Sequence, residues 1–592
     1  MLSIMNCNAG VVIMVSPEMS SPVPLTSVHP DDYPRLSREG LGALKFNWRK
    51  AHVKDDWTKG GALSDAWDRI SGWPYWKKPS YDLDYGMRVL AKIAQEVPAW
   101  REVVGEAAGL LVARMPQYAA WFDWVEEVGL DPNAGRYSYL QYRSLIPPGF
   151  AGVYNSPGYI GNGLRTHLDE IVASIMQTAR RKPRAGHPYY PQHSPAVGRV
   201  FNPDPIYANG SSNMMYKGYF AHQLMLSYVM TGDEKFLAPQ HLVYDDEIQY
   251  HYSVTDIVRI MCEQHMGDVD ENGSPLLPGI DCEVGKMFPV CVTVGGLAAH
   301  LHDEVFGTRY RQGYDRWLDW AKDNIAGSDA GPDGPFSWCA PYYDRDIPYC
   351  MNEPRQQMGP FFIGPAMQLL PNEPAFATRI YDGMIKNFGR EDDDGLHIVW
   401  PTALVGRLEV LKPPGEGLVD PISTSGALTF AREIGDVERA EGLEQWLGKH
   451  GGISYADGEF YFTYGFDEDW PRGIPNAWAT LGYVGGAGSL RRMYNEINLE
   501  KFSQPTLAGV DYPRVNVSQA TYDADKDALV VSIAPGTARP GAITCFRVTN
   551  LPYGQHDHQV LLNGKEHDDW TNDRPGEIVV RTTVDDQTFV IR

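Results

Sequence analysis

Residues 282–291 read CEVGKMFPVC, two cysteines nine positions apart around a glutamate, a glycine and a phenylalanine. The chain has only 7 cysteines in 592 residues, so two this close together invite a chemical reading. A zinc clip needs more soft ligands at C-x-x-C-like spacing, and neither His265 nor His302 completes one. An odd number of scattered cysteines makes no disulfide framework, and a reducing compartment disfavours a bridge. Pro289 suits the first turn of a helix. That puts Cys282 on a loop and Cys291 about one turn into the helix. Two thiols meeting at one cavity can donate or accept a proton, or attack carbon. The plain alternative is two small side chains filling gaps in the core.

The elements that position these residues are helical over most of the chain. Leu164, Leu168, Ile171, Val172, Ile175 and Met176 share one face at helical spacing. Residues 213–236 form a second apolar run that stops at Gly232. The stop recurs at Gly307-Thr308 and Gly435-Asp436, and Asn372 stands in the glycine's place at a fourth junction. Each is read as a helix end, a left-handed residue, then a cap for the next helix. Steps of 75, 65 and 63 residues between these junctions fit one helical hairpin plus a long return loop. Hairpins repeated at this size, with loops rich in Gly, Pro and aromatics, predict an α/α toroid rather than a solenoid. After about residue 500 the texture changes to ALVVSIAP, ITCFRVTN, HQVLLNG and EIVVRTTV, short β-branched runs between turns. The expected fold is therefore mainly α: an irregular tail over 1–40, an α/α-barrel over 41–495, and a small C-terminal β-sandwich over 500–592.

A net charge of -23 argues against nucleic acid or an anionic membrane as partner. The apolar run Gly10 to Val15 is too short to span a bilayer and no Lys or Arg precedes it. The expected setting is cytoplasmic, the expected partner a small-molecule substrate, and a homo-oligomer is left open. No Gly-rich phosphate loop or metal clip is visible in the sequence, so neither a cofactor nor a metal is expected.

The stretch NMMYKGYFAHQLMLSYVMTGDEKF (213–236), followed by Cys282, Glu283, Phe288, Cys291 and HDEVFGT (302–308), resembles the linalool dehydratase-isomerase family. EPAFATRIY (373–381) and FAREIGD (430–436) extend the resemblance. It implies a helical-barrel enzyme that removes or adds water and shifts a double bond on an allylic terpene alcohol, without metal or organic cofactor. Carried over, Cys282 and Cys291 match the family's two active-site cysteines, Met215 its active-site methionine, and Phe288 a pocket phenylalanine. The family's histidine four residues after the methionine is Tyr219 here, a hydrogen-bonding phenol but a poor base. His222, nearly one turn on, is the expected stand-in. The asparagine after the second cysteine is Val292, and the family's N-terminal Asp and Tyr find no counterpart by eye between 80 and 160.

The expected catalytic set is Cys282, Cys291, Tyr219 and His222. Met215, Phe288 and, from the aromatic loop 338–355, Tyr343 and Asp344 are the expected substrate contacts. The reaction expected is dehydration, hydration, double-bond shift or cyclisation of a terpenoid- or polyketide-like molecule. The competing reading is a carbohydrate-active enzyme, which would draw two carboxylates from Asp303, Asp344, Asp346 and Glu353.

Overall fold

Glycine ends the helices where its spacing in the sequence says it should. The computed structural model describes residues 23–52, 79–118, 206, 214–243, 249–267, 278–280, 286–331, 334–339, 343–344, 349–350, 360–399, 421–463, 474–552 and 558–592. In it Gly232, Gly307 and Gly435 take φ of 70°, 66° and 73°, a backbone that any side chain would strain. The residues that follow divide into two kinds. Asp233 and Asp436 cap the next turn, accepting from the N–H of Lys235 and Arg439. Thr308 does not cap. Asp303 reaches past Gly307 and accepts from the N–H groups of Tyr310 and Arg311 at 2.8 Å each. A carboxyl with two oxygens satisfies more orphan donors than a hydroxyl does. The fourth junction also differs from expectation: Asn372 does not take the left-handed conformation, and Glu373 N–H closes the turn on Leu369 O at 2.7 Å.

His302 sits in the same corner. Its Nδ1 lies 2.8 Å from the Thr308 hydroxyl and its Nε2 2.9 Å from that of Thr255. Thr308 spends its proton on Asp303, so it accepts from Nδ1–H and the ring is neutral. Burial lowers the His302 pKa from 6.5 to about 4. A depressed histidine contributes stability that is full above its unfolded pKa and is lost as pH falls through that value toward the folded one. Between pH 7 and pH 5, wild type should lose about 1–2 kcal/mol more than His302→Asn. Equal pH slopes of unfolding free energy in the two proteins would contradict this.

The helices are α1 (Arg38–His52), α2 (Pro79–Glu96), α3 (Arg101–Val112), α4 (Met214–Thr231), α5 (Val254–Met266), α6 (Pro289–Phe306), α7 (Arg311–Asn324), α8 (Pro360–Leu369), α9 (Pro374–Phe388), α10 (Pro421–Ile434), α11 (Val437–His450), α12 (Ile474–Leu481) and α13 (Ser489–Asn495). Their packing runs in a cycle: α2 on α4, α4 on α6, α6 on α8, α8 on α10, α10 on α12, and α12 back on α2. Outside it, α3 lies on α4, α7 on α6, α9 on α8 and α11 on α10. The cycle members are buried nearly all round: among its described side chains α6 exposes only its last turn, as a helix packed on several sides must. No helix among the described residues is long and apolar enough to cross a membrane.

The expected C-terminal strands are present. They are β1 (Thr506–Ala508), β2 (Val515–Asp523), β3 (Ala528–Pro535), β4 (Ile543–Thr549), β5 (Val560–Leu562), β6 (Lys565–Glu566), β7 (Trp570–Arg574), β8 (Glu577–Thr583) and β9 (Gln587–Ile591). They make two antiparallel sheets, ordered β1-β4-β8-β7 and β2-β3-β9-β5-β6. The sheets touch at Phe546 and Phe589, edge to face at 5.1 Å. Part of the irregular N-terminal stretch belongs to this region. Leu25 and Val28 pack on Val530 and Val590, and Leu36 N–H donates to Ser518 O at 2.8 Å.

The region expected as one loop over 338–355 carries strand pieces instead. Tyr343–Asp344 pairs with Lys286–Met287 on one side and Tyr349–Cys350 on the other, because aromatic residues there find a partner strand just ahead of α6. The helix expected over 164–176 lies outside the described residues.

Candidate active site

Met215, Tyr219 and His222 fall on one face of α4, since residues three and four apart stack on a helix. Opposite runs α6, whose third residue is Cys291 and whose first is Pro289. The two helices cross where both carry glycine. A methyl group on Gly218 would stand 3.2 Å from the Cys291 carbonyl, and one on Gly295 2.1 Å from the Met214 methyl. That close approach brings the helix of Tyr219 onto that of Cys291, and the thiol is among the groups whose charge bears on the phenol. Phe288 caps the start of α6, 3% exposed, and Met215 is 5% exposed. Both are wall residues beside the pair.

Gln368, near the end of α8, donates from Nε2 toward the Tyr219 hydroxyl at 3.4 Å. Its Oε1 accepts from Thr293, which fixes the amide's orientation.

The third wall comes from α2, and nothing in the sequence motifs pointed there. Arg88 Nε donates to Asp84 Oδ2 at 2.8 Å, and both side chains are fully buried. The other Asp84 oxygen accepts from His222 Nδ1 at 2.5 Å. His222 Nε2 in turn accepts from the Tyr494 hydroxyl at 2.8 Å. Burial lowers the His222 pKa despite Asp84, so the imidazole is neutral with both nitrogens in use. Tyr85, one residue after Asp84, stands edge-on to Trp478 at 5.0 Å, and the Tyr219 phenol is among its neighbours.

Burial raises the pKa of Tyr85, Tyr219 and Tyr494 far above the ordinary phenol range. All three are proton donors and none is a base near neutral pH. The wall of the site is therefore donor-rich: two phenols, an amide, a guanidinium and a thiol. His222, expected as the stand-in base, shares the face of Tyr219 but is tied to Asp84 and Tyr494.

Cys282 lies outside the described residues, and so does the Asp344 side chain. Tyr343 is buried opposite Met287, with its ring 4.9 Å from Trp320. Asp303, weighed as a glycosidase carboxylate, is spent on capping α7. Asp346 and Glu353 lie outside the described residues. Among the described residues no cluster of three His, Cys, Asp or Glu is placed to hold a metal ion. A separate cavity of about 240 Å³ lies at the far ends of α2 and α4, between Ala91, Met230, Met493 and Lys501. It includes none of the residues above.

The sequence profile of the linalool dehydratase/isomerase family matches residues 187–465. No curated protein matches the chain. Among solved structures, it aligns with the unsaturated glucuronyl hydrolase from Bacillus sp. GL1 at 11% identity, covering 78% of this chain and 96% of that one, with a TM-score of 0.36. The enzyme of the same description from Streptococcus agalactiae aligns at 10% identity over 81% and 99%, TM-score 0.37. A GH127 β-L-arabinofuranosidase from Geobacillus stearothermophilus T6 aligns at 12% identity over 93% and 80%, TM-score 0.25.

Proposed function

We propose that this distant member of the linalool dehydratase/isomerase family is a cofactor-independent lyase or isomerase acting on a hydrophobic, oxygenated small molecule of terpenoid or polyketide type. The observation that carries the reading is the glycine-lined crossing of α4 and α6, which brings Tyr219 and Cys291 near enough for the thiol's charge to bear on the phenol. Cys291, with Cys282 where the resemblance puts it, moves a proton to or from carbon. The neutral phenols of Tyr219 and Tyr85 donate to the substrate's oxygen as water leaves, adds, or the double bond shifts. Asp84 and Tyr85 stand for the Asp and Tyr that the resemblance calls for. Met215 and Phe288 hold the apolar body of the substrate, and Tyr343 and Asp344 are its outer contacts.

The fold that goes with this reading is an α/α toroid ending near residue 495, with a β-sandwich over 500–592. The closed cycle of helix contacts supports the first and the two facing sheets the second. A cytoplasmic setting would keep the thiols reduced.

The test uses the full chain, treated with chelator and freed of nucleotides, in D₂O with a panel of terpenoid and polyketide-derived alcohols and enones. Products that have lost, gained or shifted water or a double bond, with deuterium on carbon, are expected. Activity that returns only with a metal or nucleotide, or release of sugar from glycosides instead, would overturn it.

A further inference from the structure

Among the described residues of the site, Arg88 has two donors whose hydrogen-bonding is plainly incomplete. Its Nε is satisfied by Asp84 at 2.8 Å. Its Nη1 and Nη2 are buried and reach no acceptor. Asp84 meets Arg88 through Nε alone, and its other oxygen accepts from His222 Nδ1. The guanidinium carbon stands 4.8 Å from the centre of the Tyr85 ring. Its charge acts on the phenols of Tyr85, Tyr219 and Tyr494, so it stands in the same group of side chains as Tyr219. Buried donors are almost always paired in native proteins, and exceptions concentrate where a ligand completes them.

We propose that the substrate of this site carries a carboxylate, gripped end-on by Nη1 and Nη2 of Arg88. The chemistry of the unmet donors selects it. Two parallel N–H groups on the outer edge of a guanidinium match the two oxygens of a carboxylate, which a lone hydroxyl cannot do. The groups beside them are also donors, the neutral phenols of Tyr85 and Tyr219. Asp84 balances the charge of Arg88, and each of its oxygens already accepts a hydrogen bond. The rest of the molecule is apolar, as Met215, Phe288, Met87 and Trp478 are. The substrate class is thus a hydrophobic, unsaturated or hydroxylated carboxylic acid, held by its acid group while the carbon skeleton lies toward Tyr219 and Cys291.

The inference takes its place from the acid–base reading above, but its test measures binding and needs no turnover. The probes are geranate, farnesoate and cinnamate, each paired with the alcohol of the same skeleton, titrated calorimetrically into wild type, Arg88→Met, Arg88→Lys and Cys291→Ala. Wild type and Cys291→Ala should bind at least one acid about tenfold or more tighter than its alcohol. Arg88→Met should lose that preference, and Arg88→Lys, which keeps the charge but not the fork, should lose most of it. If Arg88→Met does not fold, Arg88→Lys decides alone. No preference for any acid in wild type, or a preference that survives both substitutions, overturns the inference. Alcohol turnover by a wild type that binds no acid in preference to its alcohol would sink it and leave the acid–base reading standing. Arg88-dependent acid binding in a protein without lyase or isomerase activity would do the reverse.

Discussion

Cys291→Ala and Tyr219→Phe are each expected to lower turnover by about 10²-fold or more while the protein stays folded. Gly218 and Gly295 let α4 and α6, which carry the two residues, approach closely. A thiol and a phenol placed in this way can act on one substrate carbon and its oxygen together. The phenol is held neutral by burial, so replacing it with a ring of the same shape removes a donor and little else. One of its partners is Gln368 at 3.4 Å, a long contact, and the loss should cost about 1 kcal/mol of stability. Trimming Cys291 to alanine deletes one atom from a buried wall, again about 1 kcal/mol. Activity and unfolding must therefore be measured on the same preparations. Near-normal turnover in both variants would make the pair packing and no more. Cys282→Ala belongs in the series: a loop thiol is the more reactive kind, and its loss should be at least as large.

What the sequence disclosed and what it hid follow from the range of the interactions concerned. Helix stops are local: a glycine at φ near 70° announces itself through its neighbours, and so do strands such as Ala528–Pro535. Cys291, Tyr219 and Met215 stand out as candidates because they sit within two short motifs. Thr308 was misjudged as a cap because the better acceptor, Asp303, comes from the helix before it. The α2 wall was hidden for a different reason. YDLDYGMRVL matches no motif, and its meaning depends on contacts with α4 and α13, 138 and more residues away. One local signal was available: Asp84 and Arg88, four apart and interleaved with Leu83, Met87, Val89 and Leu90, have to be buried as a pair. Tyr494 and Gln368 gave no signal at all, each being one polar residue brought in by packing.

That four-residue period continues down α2 through Lys92 to Glu96, and the second pair should carry the larger share of stability. Lys92 donates to Glu433 Oε1 at 2.6 Å and to the Leu481 carbonyl at 2.8 Å, fully buried. Glu433 also accepts from the Ser489 hydroxyl at 2.8 Å and Leu490 N–H at 2.9 Å. One carboxylate therefore ties α2 to α10 and α13, and holds Asp84 and Arg88, two turns and one turn back, toward the site. Burial pulls the Lys92 pKa below its usual value even with Glu433 in contact, so desolvation outweighs attraction in this pair. Removing one partner is then costly, because it strands the other as a bare charge, whereas removing both charges is not. Lys92→Met should destabilise by about 3–5 kcal/mol in chemical denaturation. Lys92→Met with Glu433→Gln, which drops the second charge but keeps an acceptor for Ser489 and Leu490, should recover about half of that or more. A double variant no more stable than the single would mean that lost packing of the lysine stem, rather than the stranded carboxylate, is what α2 feels.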